Sequence, residues 1–472
     1  MTDGAARLLS RHTSKEVPSP DRKVFEAAYE HLTSRDPVKA WASGQWMTER
    51  VGGSDVRNTE TLATYLPISK SEAVVTDANT AVLLAKTLDA GISAFYAPLR
   101  RTVPHKTEAG DSSPITTELN GITIHRLKPK LGTRPVPTAE LSLTNTRAYL
   151  LGTPGQGVKE ISTVLNTTRI HNAVTACGLW GRGLAISRAF ARVRSVRGKM
   201  LMEVPAHVRT MAKEHVEYRA AMLMTYFVVA LLGVSEQPQS KALWNRHASA
   251  SPASPLVPDG PEAGLLLRVL TPVLKALTAK SAIAGLAECM ESLGGVSYLD
   301  SSSPLDIGTN IARLYRDANV LSIWEGTTDV MADDTIRVLK GKSGSEVIAT
   351  LEKWVHAALS TWEDLRKGVG VDCYIAVFEF WRKWAADIKG ETSEELVLRG
   401  RETMEDLGWV VSAVLLVEDA IRDGDGVAWE VAKRWVFKKS DMRAAEAAGW
   451  ANGVEWDQGI VFGGGTKVNA KL

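Results

Sequence analysis

Cysteine is scarce in this sequence. Among 472 residues only Cys177, Cys289 and Cys373 are cysteines, far apart and without a CxxC pair. That excludes a disulfide scaffold and leaves no cysteine zinc site. The nine histidines contain no HExxH, so a metal centre of that kind is not expected either. A charge of one sign is lacking too. Fifty-six basic residues face 54 acidic ones for a net charge of +2, which gives no whole-protein argument for nucleic acid or an anionic membrane. The longest apolar run, Met222 to Val234, has 13 residues. It is short for a bilayer span and reads as a buried helix, so no membrane partner is expected. The first residues carry basic side chains but no apolar h-region, so no secretory signal is read there.

What is present has a clear order. Residues 1–46 read as a helical remnant, with an amphipathic stretch at 24–32 broken by Asp36-Pro37. Residues 47–152 change to short apolar runs separated by turn residues, a small β domain. Within it, Asn120-Gly121 between ITTEL and ITIHRL predicts a two-residue hairpin. After Thr153-Pro154-Gly155-Gln156-Gly157, which reads as a linker, the chain turns helical. The patterns at 167–194, 205–232 and 262–295 predict three long helices, the second opening on Pro205 at a first helical position. Residues 241–261 read as a loop. The whole divides into a helical bundle at 153–342, a helical extension at 343–440 and a flexible tail at 441–472. With no βαβ alternation, the fold class is α+β rather than a doubly wound nucleotide fold.

Several motifs carry chemistry, each beside a plainer reading. Met47-Thr48-Glu49 followed by Gly52-Gly53-Ser54-Asp55 can present backbone N–H groups and hydroxyls to an anion, or form an ordinary Gly-rich turn. From Trp180 to Lys199 the pattern predicts one helix carrying Arg182, Arg188, Arg192, Arg194, Arg197 and Lys199 without an acid. Such a stripe suits a pyrophosphate or a nucleic-acid backbone, or is a solvated face. Gly294-Gly295 ends a helix and also allows close approach of a cofactor. Glu325 lies between Ile323-Trp324 and Gly326-Thr327-Thr328. It is either an acid placed at a helix start by the macrodipole or a desolvated general base.

Taken in order, MTExxGGSDV, a β segment, the TRIHNA helix, an arginine about 25 residues on, LGGxxY and YRDANVLSIWEGTTDVM resemble the acyl-CoA dehydrogenase family, and within it the AidB-like branch. The resemblance covers roughly residues 41–341. It implies an acyl-CoA dehydrogenase-like fold with its N-terminal helical domain largely missing, bound FAD, a homotetramer and an acyl-CoA substrate. The implied reaction is α,β-dehydrogenation, with Glu325 as base and hydride transfer to the flavin. By the same likeness Met47, Thr48, Ser54, Arg194, Gly294, Gly295, Thr327 and Thr328 bind the cofactor, while Ser54, Arg169 and Gly326 face the substrate.

The chain departs from the family pattern in two internal places. Ala73-Val74-Val75-Thr76 stands where a tryptophan-bearing strand is usual, and Arg194-Ser195-Val196-Arg197-Gly198 replaces Arg-x-x-Phe-Gly. Two alternatives stay in play: an AidB-like flavoprotein that binds nucleic acid in alkylation protection, motivated by the arginine stripe, and a catalytically impaired homologue, motivated by these departures. The terminal Ala470-Lys471-Leu472 is a close variant of a peroxisomal address. The expected location is the peroxisome, and otherwise the cytoplasm.

Overall fold

A computed structural model describes residues 1–13, 21–49, 56, 59–65, 79–103, 116–236, 256–258, 260–300, 310–362, 370–439 and 450–463. Ser54, the Ala73–Thr76 segment, most of the 241–261 loop and the Ala470-Lys471-Leu472 triplet lie outside the described residues. The chain divides into two compact units, one of residues 1–130 and 134–168, the other of residues 131–133 and 169–472.

The first unit is a mixed sheet covered by helices. Helices α1 (Thr2–Thr13) and α2 (Arg22–Leu32) precede strands β1 (Ser43–Trp46), β2 (Leu62–Ala63), β3 (Thr80–Thr87), β4 (Gly91–Pro98) and β9 (Tyr149–Leu151). The sheet order is β1-β3-β4-β9, with β2 also on the β3 edge. β1 and β2 run parallel to β3, and the other pairs are antiparallel. Period-two alternation divides β3 between two cores. Val82 and Leu84 meet Leu8, Leu9 and Phe25 of the helices, while Leu83 and Ala85 meet Phe95 and Ala97 on the other side. Being covered on both faces explains why β3 is apolar nearly throughout.

The expected hairpin at Asn120-Gly121 does not form. Strand β6 (Thr116–Leu119) pairs with β5 (Arg100–Val103), and β7 (Ile122–Leu127) pairs with β8 (Ala139–Leu143). Asn120 is 1% exposed. It donates to the Pro98 and Arg147 carbonyls, each at 2.7 Å, and accepts from the Arg147 amide at 3.0 Å. Gly121 has φ +66°, and a Cβ there would lie 2.2 Å from the Thr144 carbonyl oxygen. The pair is a buried cross-tie whose turn chemistry serves a different pairing. The 153–157 segment is likewise no linker. The Gly155 amide donates to Ser93 Oγ at 2.8 Å, helix α3 (Gly157–Val193) starts at once, and the division between units falls inside that helix.

The second unit is helical around one core. After α3 come α4 (Pro205–Glu236), α5 (Gly260–Leu293), α6 (Ile311–Asn319), α7 (Thr328–Lys340), α8 (Gly344–Thr361), α9 (Gly370–Gly390), α10 (Ser393–Leu398), α11 (Gly400–Asp423), α12 (Gly426–Phe437) and α13 (Trp450–Phe462). A single buried cluster runs from Ile170 to Val461, so no boundary separates the bundle from the extension at 342/343. Lys340 Nζ reaches the Ile388 carbonyl at 2.7 Å, and Trp409 and Trp435 each donate an indole N–H to the other's carbonyl, at 3.1 and 3.2 Å. The expected tail at 441–472 contains α13, which buries Ile460 and Val461 and pairs Asp457 with Arg434 at 2.5 Å. Those apolar residues and that ion pair anchor it. By length and composition, Pro205–Glu236 and Gly260–Tyr298 could each cross a membrane. The second is 72% buried within its most apolar window, as befits a core helix.

Candidate active site

Glu325 sits in a turn between two helices of the second unit. Helix α6 is capped by Asn310, whose side chain accepts from the Arg313 amide at 2.9 Å, and continues as a 3-10 turn over Val320–Ser322. The chain then enters a left-handed stretch, with φ +60° at Glu325 and +106° at Gly326. Thr327 is extended at the N-cap of α7 and makes no side-chain cap bond. Glu325 therefore lies ahead of the helix and not in its first turn, which corrects the helix-dipole reading.

Gly326 is favoured by its backbone, and any Cβ added there would also displace the end of the Met331 side chain. Its φ is unfavourable for any residue with a Cβ, and a Cβ there would lie 2.5 Å from Met331 Cε.

Charged side chains hold the turn open. Arg169 Nε donates to the Glu325 carbonyl at 3.2 Å, and Lys275 Nζ donates to the Gly326 carbonyl at 2.5 Å. Arg169 Nη1 also pairs with Asp334 at 2.9 Å, and Arg268 Nη2 meets the other Asp334 oxygen at 2.7 Å. Asn172 Nδ2 adds a bond to the Leu321 carbonyl at 3.0 Å. Burial alone would raise the Asp334 carboxyl, but the hydrogen bonds and charges of Arg268 and Arg169 hold it below the usual carboxylate range. Lys275 is fully buried. Burial, with Arg169 adding to it, pushes its ammonium down to about 8, and the Glu325 charge acts in the opposite direction. Two buried polar atoms beside the turn, Trp324 Nε1 and Asn172 Oδ1, have no hydrogen-bond partner among the described residues. Each leaves a polar contact for a ligand to fill.

A second feature of this unit brings Arg194 and Gly294 together. The expected helix through Lys199 stops at Val193. Ser195–Val196 and Lys199–Met200 pair as a small hairpin, turned by Arg197 at φ +50° and Gly198 at +80°. The two consecutive positive φ values turn this hairpin, and Arg194 lies between it and the end of the helix. Arg194, His207, Thr210, Glu288, Glu291 and Gly294 are among the lining of a cavity of about 410 Å³. Gly294, at φ +70°, ends α5, and a Cβ on it or on Gly295 would meet nothing within 4 Å. His207 Nε2 is buried without a partner among the described residues, and burial lowers the pKa of this imidazole. Arg194, the His207 ring nitrogen and the bare Gly294 edge suit polar ring atoms and one phosphate of a group such as FAD, while Glu288 and Glu291 in the same lining oppose further negative charge. Arg192 of the stripe is directed elsewhere, 5.5 Å from the centre of the Phe462 ring.

In the first unit, Met47 is buried among the helix-facing core and accepts from Gln45 Nε2 at 3.3 Å, while Thr48 is exposed. The neighbouring Glu49 is used structurally, accepting from the Glu60 and Thr61 amides at 2.6 and 3.1 Å. In the second unit, Thr327 is exposed and Thr328 buried. Arg169, expected on the substrate side, is only 11% exposed in its side chain and spends it on Asp334 and the Glu325 carbonyl.

Lys275, Asp334 and Arg268 escaped the reading of motifs. One signal was present for Lys275: it is the only charge in VLTPVLKALTA, Val269 to Ala279. A lysine in so apolar a helix needs a partner.

Comparison with known proteins agrees with this architecture. The family model described as "Acyl-CoA dehydrogenase, C-terminal domain" matches residues 155–340. Acyl-CoA dehydrogenase family member 11 of Caenorhabditis elegans is 36% identical over 363 residues, covering 72% of this chain and 51% of that protein. Putative acyl-CoA dehydrogenase AidB of Escherichia coli is 29% identical over 321 residues, covering 66% of this chain and 51% of that protein. The chain thus spans about half the length of these curated relatives. The crystal structure of Caenorhabditis elegans ACDH-11 in complex with C11-CoA superposes with a TM-score of 0.73 at 31% identity, over 98% of this chain and 75% of that one. With three quarters of a relative above 30% identity accounted for, this chain belongs to the acyl-CoA dehydrogenase family, and AidB is among its relatives.

Proposed function

We propose that this chain is an FAD-dependent acyl-CoA dehydrogenase in which Glu325 takes the α-proton of an acyl-CoA thioester. The observation that carries the reading is the Glu325 backbone. A left-handed non-glycine residue costs roughly 1–2 kcal/mol, and here Arg169 and Lys275 hold the two successive carbonyls that maintain it. Such strain gathers where a side chain must be aimed. The C11-CoA complex of the Caenorhabditis elegans relative supports the substrate class.

A carboxylate is a weak base for a C–H bond. The thioester carbonyl must therefore be polarised by donors fixed in advance, in a site poor in water. Trp324 Nε1 and the Thr327 hydroxyl are the donors this turn offers beside Glu325. FAD, when bound, supplies the acceptor for the hydrogen that leaves the β-carbon with its electron pair. Arg194, His207 and Gly294 would hold that cofactor's polar portion. By the family resemblance, Thr327 and Thr328 add to its contacts within this unit, and the active form is a homo-oligomer.

The test is Glu325→Gln. Holoenzyme carrying this change should keep its flavin spectrum, yet bleach about a hundredfold or more slowly with short-, medium- and long-chain acyl-CoAs, the scale of a lost general base. Bleaching at the unmodified rate would remove Glu325 as the base.

A further inference from the structure

We infer that Lys275 is a positioning residue for Glu325, acting through the Gly326 carbonyl. The inference rests on the proposed role of Glu325 as base and extends it to a residue outside the motif.

Position is the first observation. Lys275 lies on α5 among residues that form the core of the unit: Leu270, Val273, Leu274 and Ala279 are all fully buried, and so is Lys275 itself. Bulk alone could be filled at this point by methionine or leucine. A lysine here carries a desolvation cost that such residues lack, so it needs a specific partner.

The partner is the second observation. Nζ donates to the Gly326 carbonyl at 2.5 Å, one residue beyond the carbonyl held by Arg169. Two cations thus grip two successive peptide units, and both lie where φ is positive. The Glu325–Gly326 peptide is the pivot on which the Glu325 side chain swings. With the carbonyl on each side of residue 326 anchored, that peptide is fixed against rotation.

The third observation divides the labour. Arg169 is itself tied to Asp334, which Arg268 also engages. That network would hold the Glu325 carbonyl without Lys275. Lys275 alone among the described residues is seen donating a side-chain bond to the Gly326 carbonyl. Removing it frees one end of the pivot and leaves the other in place. The expected consequence is a misaimed base in a folded protein.

The experiment compares Lys275→Met and Lys275→Gln with the unmodified full-length holoenzyme. Gln keeps a neutral donor, and Met keeps only volume. Deuterium exchange is read by mass spectrometry on peptides spanning residues 321–331, with peptides from α5 as the internal reference. Lys275→Met should speed exchange in the turn by about tenfold or more, the fold-change for loss of one charge-assisted bond, while α5 is unchanged. The bleaching rate at saturating acyl-CoA should fall by about tenfold or more, with the half-saturating concentration shifted less than about twofold. Lys275→Gln should recover part of both effects. If Lys275→Met loses its helical circular dichroism, the Gln variant against the unmodified protein carries the test, with smaller changes of the same sign.

Unaltered exchange in the turn, or bleaching unaltered in a variant with faster exchange, overturns the inference. So does a Gln variant no better than Met. Failure of the underlying reading looks different: Glu325→Gln would then bleach normally, whatever Lys275 variants do to exchange.

Discussion

Replacing Lys275 by methionine should change how stability depends on pH, and the size and sign follow from burial. The ordinary lysine value of 10.5 is pushed down to about 8 by desolvation and by Arg169. That difference corresponds to about 3 kcal/mol of cost for keeping the ammonium charged in the fold. Below pH 8 both folded and unfolded chains hold the proton, and the cost is constant. Between about 8 and 10.5 the unfolded chain keeps a proton that the folded chain has released, so stability rises with pH. The slope reaches about 1.4 kcal/mol per pH unit. Above 10.5 neither state is charged at this site. Methionine has no proton to release and lacks the slope. Urea unfolding, followed by fluorescence of the 14 tryptophans, would be measured for both proteins at pH 7.5, 9 and 10.5. Groups common to both cancel in the difference. The unmodified protein should gain about 3 kcal/mol on the variant across the series. Parallel stability curves would refute the reasoning, since they would mean that Lys275 keeps its ordinary affinity for a proton and is not confined as described.

Other outcomes follow from single sites. Gly326→Ala must carry a Cβ at φ +106° and 2.5 Å from Met331 Cε; the second unit should lose about 2–4 kcal/mol in denaturant titration, and substrate bleaching should fall with it. Glu214 is 7% exposed, and burial, then Glu217 and Glu288, raise its carboxyl to about 7. Its contribution is present below about pH 4.5 and lost as pH rises through 7, so Glu214→Gln should gain up to about 3 kcal/mol on the unmodified protein at pH 8 and nothing at pH 4. Asn120→Leu leaves the Pro98 and Arg147 carbonyls without their amide donor; the first unit should lose about 2–4 kcal/mol, seen as faster deuterium exchange in β4 and β9 with the second unit unmoved.

The helical half was legible because its signals are local. The pattern at 205–232 became Pro205–Glu236, and that at 262–295 became Gly260–Leu293, since apolar periodicity, a first-turn proline and a glycine stop act within a few residues. The β portion resisted because pairing is not local. Asn120-Gly121 has the composition of a tight hairpin, yet the strands on either side pair elsewhere. A buried asparagine bonded to residues 22 and 27 positions away leaves no mark in its own neighbourhood. The arginine stripe failed for a related reason. Charge says nothing of where a helix stops, and the turn at Arg197-Gly198 needed two positive φ values, only one of them at a glycine.

Glu325 shows how a local rule can be right and still misassign a residue. An acid near a helix start is favoured by the macrodipole, and this helix does have one: Asp329, in the first turn of α7, exposed and paired with Arg401 at 2.6 and 2.9 Å. The dipole is therefore served two residues after the N-cap at Thr327, without any backbone strain. Glu325 stands outside that turn, in a conformation that disfavours it, and the surrounding structure opposes the strain with a buried lysine, an arginine and a glycine at φ +106°. A capping acid needs none of these. A side chain that must point in one direction needs all of them, because the left-handed backbone sets the direction of its Cβ and the two anchored carbonyls keep it there.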